Sequence, residues 1–285
     1  AVSFVNIEWS AMNPIELKVS DVSDDQLHFY RFQSRNWGGL HGRLFINDVE
    51  IHEFSPTRSQ VSCSDIQNWL MPGENTVVVS VTEMDANAET GAGQCLYECS
   101  LHGMPTPNLP DESNCLWTIR LDDVQNRQPF TRTYSFGFTS LQVPTSRLWR
   151  KAEVIDLLPD PEKQRVLQLQ DELVSAFRHG DSAKLLKLYE FVVQEETDMR
   201  KQDSHEILER IREEMLALSE MSREGLVQFH QEKDVYFNHL AGNRVVQLCS
   251  EEGGPTIRLQ ADGDEYIPIN IFASRIDGQW NLVRR

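Results

Sequence analysis

Nowhere in the chain do about eighteen apolar residues follow one another, so the sequence offers no membrane-spanning helix. Basic residues are scarce: 27 Lys and Arg stand against 44 Asp and Glu, a net charge of −17. Gripping a phosphate backbone needs clustered Lys and Arg, so nucleic acid is not an expected partner. Up to Arg150 there are 18 acidic and 10 basic residues, and from Lys151 on 26 and 17. Both halves are therefore acidic, and the partner such a surface favours is a protein with a basic surface. Also missing are a P-loop, a GxGxxG after a strand, a GxSxG elbow and any Cys–His signature, so no cofactor and no covalent catalysis are expected. Internal repeats and low-complexity tracts are absent as well. Ala1 opens the chain with no signal-peptide pattern after it, as in a processed chain or an engineered one.

Cysteine is sparse. There are five, Cys63, Cys95, Cys99, Cys115 and Cys249, and the first four fall in the N-terminal half. Cys95-x-x-x-Cys99 followed by Cys115 has the beginnings of a zinc site, but no fourth ligand stands at finger-like spacing. One or two disulfides are expected instead, with Cys115 bonded to Cys95 or Cys99. That expectation points to an oxidising compartment, periplasmic or extracellular.

What is present divides into two texts. Up to about residue 145 short apolar runs alternate with turns, the spacing of an all-β sandwich. The stretch LMPGENTVVVSV, residues 70–81, shows the pattern: Pro72 fixes φ, Gly73 accepts a positive φ, Asn75 can bond its own backbone, and β-branched valines follow. Asn47-Asp48 marks another turn. RLWRKAEVIDLLPDP then reads as a connector closed by Pro159 and Pro161.

From Pro161 the apolar period changes to 3.6. Val166, Leu169, Leu173, Ala176 and Phe177 make one face of a helix ending at Gly180. Asp181 caps a second helix over DSAKLLKLYEFVV, with Leu185, Leu188 and Val192 as its stripe. Asp203 and Glu206 stand in capping-box positions before a third, with Ile207, Ile211, Met215 and Leu218 inward. Strands return after Gly225, and Asp277-Gly278 signals a type I′ hairpin. The expected architecture is two domains: a β-sandwich over 1–148, a linker over 149–160, and over 161–285 an α+β domain with helices packed on a curved antiparallel sheet.

Two resemblances follow from these motifs. INDVEIHEF, then DIQNWLMPGENTVVVSV, resembles the galactose-binding-like β-sandwich, in which such a turn orients a core strand while ligand loops lie at one rim. The resemblance implies that Pro72, Gly73 and Asn75 are scaffold. AFRHGDSAKLLKLY and the closing FASRIDGQWNLVRR resemble the NTF2-like, cystatin-related fold, whose members include isomerases, dehydratases and non-catalytic binding modules.

An enzyme of the second kind needs an inward acid or base, for which Tyr189, His230, Tyr236 and His239 are the available polar aromatics. His205 begins HEILE, but the fifth position is Glu209, not the second imidazole that a zinc protease requires. Asp85-Ala-Asn87-Ala-Glu89-Thr-Gly91 alternates oxygen ligands, yet Leu96 stands where an EF-hand carries Glu, so no metal is expected. Among six tryptophans, Trp37 alone, before Gly38-Gly39, has a loop-like setting suited to stacking on a sugar. The expected function is therefore non-catalytic protein binding in the bacterial envelope, an immunity protein blocking a basic toxin being one concrete form. Its binding residues are Glu206, Glu209 and Glu213 on the third helix, with Trp37. The alternatives are a carbohydrate-binding protein, using Trp37, and an NTF2-like enzyme of the isomerase or dehydratase type.

Overall fold

The structure, a computed structural model, describes residues 13–20, 29–37, 39–55, 60–84, 96–104, 109–121, 129–138, 147–200, 204–224, 227–229, 232–260 and 266–285. The chain divides into two compact units, Ala1–Pro144 and Thr145–Arg285.

The N-terminal unit is built of strands β1 (Ile15–Glu16), β2 (Phe29–Asn36), β3 (Leu40–Ile46), β4 (Val49–Phe54), β5 (Gln60–Asp65), β6 (Glu74–Met84), β7 (Tyr97–Met104), β8 (Cys115–Leu121) and β9 (Phe130–Gly137). They form two sheets, in the orders β1-β9-β6-β3-β4 and β5-β2-β7-β8. All pairings are antiparallel except that of β1 with β9. Val77, Val79 and Val81 of β6 enter the same apolar cluster as Phe32, Leu101 and Ile119 of the other sheet. Period-two alternation is thus what joins the two sheets over one core. Trp117 packs within that core, its ring 5.7 Å from Phe32 and 5.1 Å from Phe136.

The turn before β6 is held by side chains. Gly73 has φ 88°, and Asn75, wholly buried, accepts from Met71 N (2.7 Å) and Asn47 Nδ2 (2.8 Å) and donates to the Met71 (2.9 Å) and Gly73 (3.2 Å) carbonyls. Asn47 in turn donates to Trp69 O and accepts from Thr76 N. Every polar atom of the two amides is satisfied inside the protein, as burial demands. The rigid turn therefore fixes where β6 starts against the β3–β4 hairpin.

In the C-terminal unit, helices α1 (Arg147–Lys151), α2 (Asp160–His179), α3 (Ser182–Leu188), α4 (Glu190–Arg200) and α5 (Ser204–Glu224) precede strands β10 (Val227–Phe229), β11 (Tyr236–Leu240), β12 (Val245–Cys249), β13 (Ile257–Gln260), β14 (Tyr266–Ile269), β15 (Ile271–Ile276) and β16 (Gln279–Arg284). The strands form antiparallel sheets β10-β13-β14 and β11-β12-β15-β16. A bridge between Cys249 and Pro255 joins them, and β14 passes into β15 across Asn270, so one meander is bent at its middle. Val166, Leu173 and Phe177 of α2 and Ile207, Ile211 and Met215 of α5 share a core with Leu248, Ile257 and Ile271 of the strands. Gly180 ends α2 in the left-handed conformation, and the Asp181 carboxylate accepts from Lys184 N to start α3. Asp277 and Gly278 both have positive φ, as a type I′ turn requires.

Three expectations need correction. The run from Asp181 is not one helix: it turns at Tyr189, so that Tyr189 itself, with Leu185 and Val192, enters the core, while Leu188 is only half-buried. Residues 149–160 are not a linker but part of the C-terminal unit. Leu148, Trp149, Ile155 and Leu158 are buried, and Arg284, paired with Glu195, lies over the Trp149 ring. A surface connector carries few such apolar contacts, and here the contacts are the reason the segment is fixed.

The expected Cys99–Cys115 disulfide is also ruled out. Cys99 stands opposite Ile119, four residues beyond Cys115, which is about 13 Å along the strand, against a limit near 7 Å between bridged Cα atoms. Cys99 faces the apolar cluster, whereas the Cys115 thiol lies 3.3 Å from the Thr118 hydroxyl. The inference of an oxidising compartment loses that support. Cys95, Asp203, His230 and the Asp85–Gly91 stretch lie outside the described residues.

Candidate functional site

A groove opens in the C-terminal unit where the start of α2 passes the edge of the sheet. The path of the chain makes it. The segment after α1 bridges to β15 at Ala152–Ile276, and Glu153 accepts from Arg275 Nε (2.7 Å) and Gly278 N (2.9 Å). Those two donors hold the Glu153 carboxyl below the usual range, the Gly278 N–H contributing most. The segment next crosses to the β11–β12 turn, where Ile155 N donates to Asn243 O and the Asn243 amide donates to Asp156. Having been pinned to the ends of two hairpins, it turns at Leu157–Leu158 into α2, whose first turn carries Asp160 and Glu162 at the positive end of the helix dipole.

The resulting groove encloses about 700 Å³. One wall is α2, through Lys163, Gln164 and Leu167; the other is β11, through Tyr236, Phe237 and His239. Leu157, 84 % exposed, and Tyr236, 43 % exposed, stand at its rim. Asp156 and Asp160 supply carboxylates at the mouth. The Lys163 ammonium is 3.5 Å from Asp160 and 6.0 Å from the centre of the Phe237 ring. His239 Nδ1 is buried and has no hydrogen-bond partner among the described residues. Such an atom is destabilising until something bonds to it. Among the described residues, strand β11 is the edge of its sheet, bonded within it to β12.

The residues singled out in the sequence do not form one site. Trp37 follows β2 in the N-terminal unit, 45 % exposed, its backbone N–H donating to Leu96 O. Glu206, Glu209 and Glu213 share one outward face of α5, at spacings of three and four, but Glu209 is ion-paired to Arg212 at 2.7 Å. Tyr189 is buried in the apolar core, and burial pushes its phenol well above the usual range, so it is no base at neutral pH. The groove does bring Tyr236 and His239 together, three residues apart on the edge strand.

Sequence reasoning missed Asp156 and Leu157, because they sit in what reads as a connector. The exposed leucine two residues before Pro159 was the available signal. It also missed Ser100 and His102, alternate residues on β7. Asn114 Oδ1 accepts from Asp111 N and so is fixed as an acceptor; His102 Nδ1 must then donate to it (2.7 Å), which leaves Nε2 to accept from Ser100 Oγ in the neutral ring (2.7 Å). Both side chains are buried. The arrangement resembles a nucleophile–base–orienter chain, but its closed hydroxyl serves to clip the 109–114 turn to the sheet.

Among the described residues no group of His, Cys, Asp and Glu is arranged to hold a metal, and no helix is long and apolar enough to cross a membrane. Compared with protein-family models, curated proteins and solved structures, the chain matches none of them.

Proposed function

We propose that the protein acts by binding another protein, without chemistry of its own, and that its partner docks at the groove beside β11. The observation that carries this reading is the rim. An aliphatic side chain 84 % exposed and a half-exposed tyrosine stand beside an unpaired strand edge, a combination proteins ordinarily cover or blunt. Of the candidate acids and bases, Tyr189 is enclosed in core and so withdrawn from acid–base chemistry, while Tyr236 and His239 line the groove. In this reading the C-terminal unit is an NTF2-like binding module and the N-terminal unit a galactose-binding-like sandwich. The charge of −17 selects a basic partner and speeds its approach.

The test is association kinetics with a partner captured from the native source. The on-rate should fall steeply between 0.01 and 0.15 M salt, as the Debye length shortens from about 30 to about 8 Å, and Leu157→Asp should weaken binding. Salt-insensitive association, unaffected by that substitution, would remove the reading. A second reading is favoured by one observation, the exposed indole of Trp37: glycan binding at the N-terminal unit, lost in Trp37→Ala on a glycan array.

A further inference from the structure

Resting on the protein-binding reading, we propose that the groove takes an extended segment of the partner as an added strand on β11, one that carries Lys or Arg beside a bulky apolar residue. The backbone argument comes first. Among the described residues β11 is paired with β12 on one side only, and an edge strand offers its outer N–H and C=O groups as a template for another chain. His239 lines this wall, and its Nδ1 has no hydrogen-bond partner among the described residues. A docked helix has its backbone groups already bonded and cannot pair with that edge.

The side-chain argument sets the sequence of the guest. Leu158 and Leu167 are buried against the groove and Phe237 flanks it, a hollow for one bulky apolar side chain, with Leu157 free to fold over it from the rim. Alternate residues of an added strand point to opposite faces, so the neighbour of that apolar residue points away towards the mouth. There it meets Asp156, only one of whose oxygens is engaged by Asn243, and Asp160, almost wholly exposed. The one lysine of the groove is already placed against Asp160 and the Phe237 ring. An incoming cation therefore finds Asp156, which no cation engages among the described residues, beside an Asp160 shared with Lys163, so the mouth favours a cation over an anion. A second copy of this chain is the wrong guest, since it would bring its own acidic mouth to the same place.

The experiment uses the whole chain and a synthetic ten-residue peptide of alternating valine and lysine, blocked at both ends, with a valine–glutamate peptide as its counterpart. Fluorescence anisotropy should show saturable binding of the lysine peptide, weaker by about ten-fold or more for the glutamate peptide, and by about five-fold in Asp156→Asn/Asp160→Asn, as exposed charge pairs allow. Hydrogen exchange should slow at residues 236–240 on binding. N-methylation along one edge of the peptide should abolish binding, while methylation along the other edge should not. Failure of the lysine peptide to bind, equal binding of both peptides, binding without protection of β11, or self-association of the chain through the groove would each overturn the proposal. If it is overturned while Leu157→Asp still loses the natural partner, protein binding at the groove stands without strand addition; if Leu157→Asp is also silent, both fall.

Discussion

Asn75→Ala takes four hydrogen bonds from a side chain with no contact with solvent. Their losses are unequal. The Gly73 carbonyl still accepts from Phe138 N (3.2 Å) and so keeps a partner. The Met71 N–H and C=O are part-buried, and Asn47 Nδ2 keeps its bond to Trp69 O. Three bonds are then lost without full replacement, and at about 1 kcal/mol each the substitution costs about 3 kcal/mol. For a unit of this size that lowers its melting temperature by about 10 °C. Calorimetry of the whole chain should show one transition moving and the other staying.

Asn75→Asp separates geometry from mere volume. It keeps the acceptor but sets a second oxygen against the Met71 and Gly73 carbonyls, so at pH 7 it should be less stable than the alanine variant. Burial and those carbonyls raise the folded pKa of the new carboxyl above its unfolded value. The native state then binds more protons than the unfolded one between the two values, so stability is regained as pH falls from 7 towards about 4. An alanine variant within about 1 kcal/mol of the parent, or an aspartate variant as stable as the parent at pH 7, would refute the claim that this amide holds the turn.

Residues 145–285 produced alone should melt cooperatively, whereas 160–285 should not. The shorter piece lacks Leu148, Trp149, Ile155 and Leu158, all buried in the unit, and burial of about 2 kcal/mol for each approaches the whole stability of a domain; equal melts would refute it. Glu153→Gln should lower the melting temperature at pH 7, and the deficit should shrink as pH falls below the usual carboxylate range, vanishing only beneath the depressed folded value. The depressed carboxylate stabilises the fold above its unfolded pKa, and that contribution is lost as pH falls through the folded value, so a pH-independent difference would exclude the clamp on Gly278 and Arg275.

The parts of the fold that were legible are those written locally. Gly73, Gly180 and Gly278 mark positive-φ positions that few other residues occupy, and Asp181 caps the helix it precedes. The core faces of α2 and α5 follow from spacing alone. What could not be read depends on partners distant in the chain. Trp149 and Leu158 look like connector residues until Arg284 and the sheet come to meet them. Tyr189 bends a helix because its ring has a place in the core, and no propensity at positions 181–193 records that place. Cys99 and Cys115 looked near enough to bridge, but the register of β7 on β8 sets them about 13 Å apart. The groove was hidden for the same reason: Asp156, Lys163 and His239 belong to three elements.

The acidic helix and the groove also do different physical work. On α5 the carboxylates are interleaved with arginines: Glu209 is paired with Arg212, while Arg210 and Arg285 engage Glu196 and Glu214. Charge so compensated contributes little to a specific contact, because a partner must displace an arginine that is already present. Its long-range effect survives, since the field of a chain with 44 acids and 27 bases acts before contact. In the groove the balance is reversed. Net charge there is small, but an unpaired strand edge, an orphaned imidazole nitrogen and an exposed leucine each gain from being covered. In the proposed reading, steering therefore belongs to the acidic surface, and affinity to a short stretch of β11 with the turn before α2.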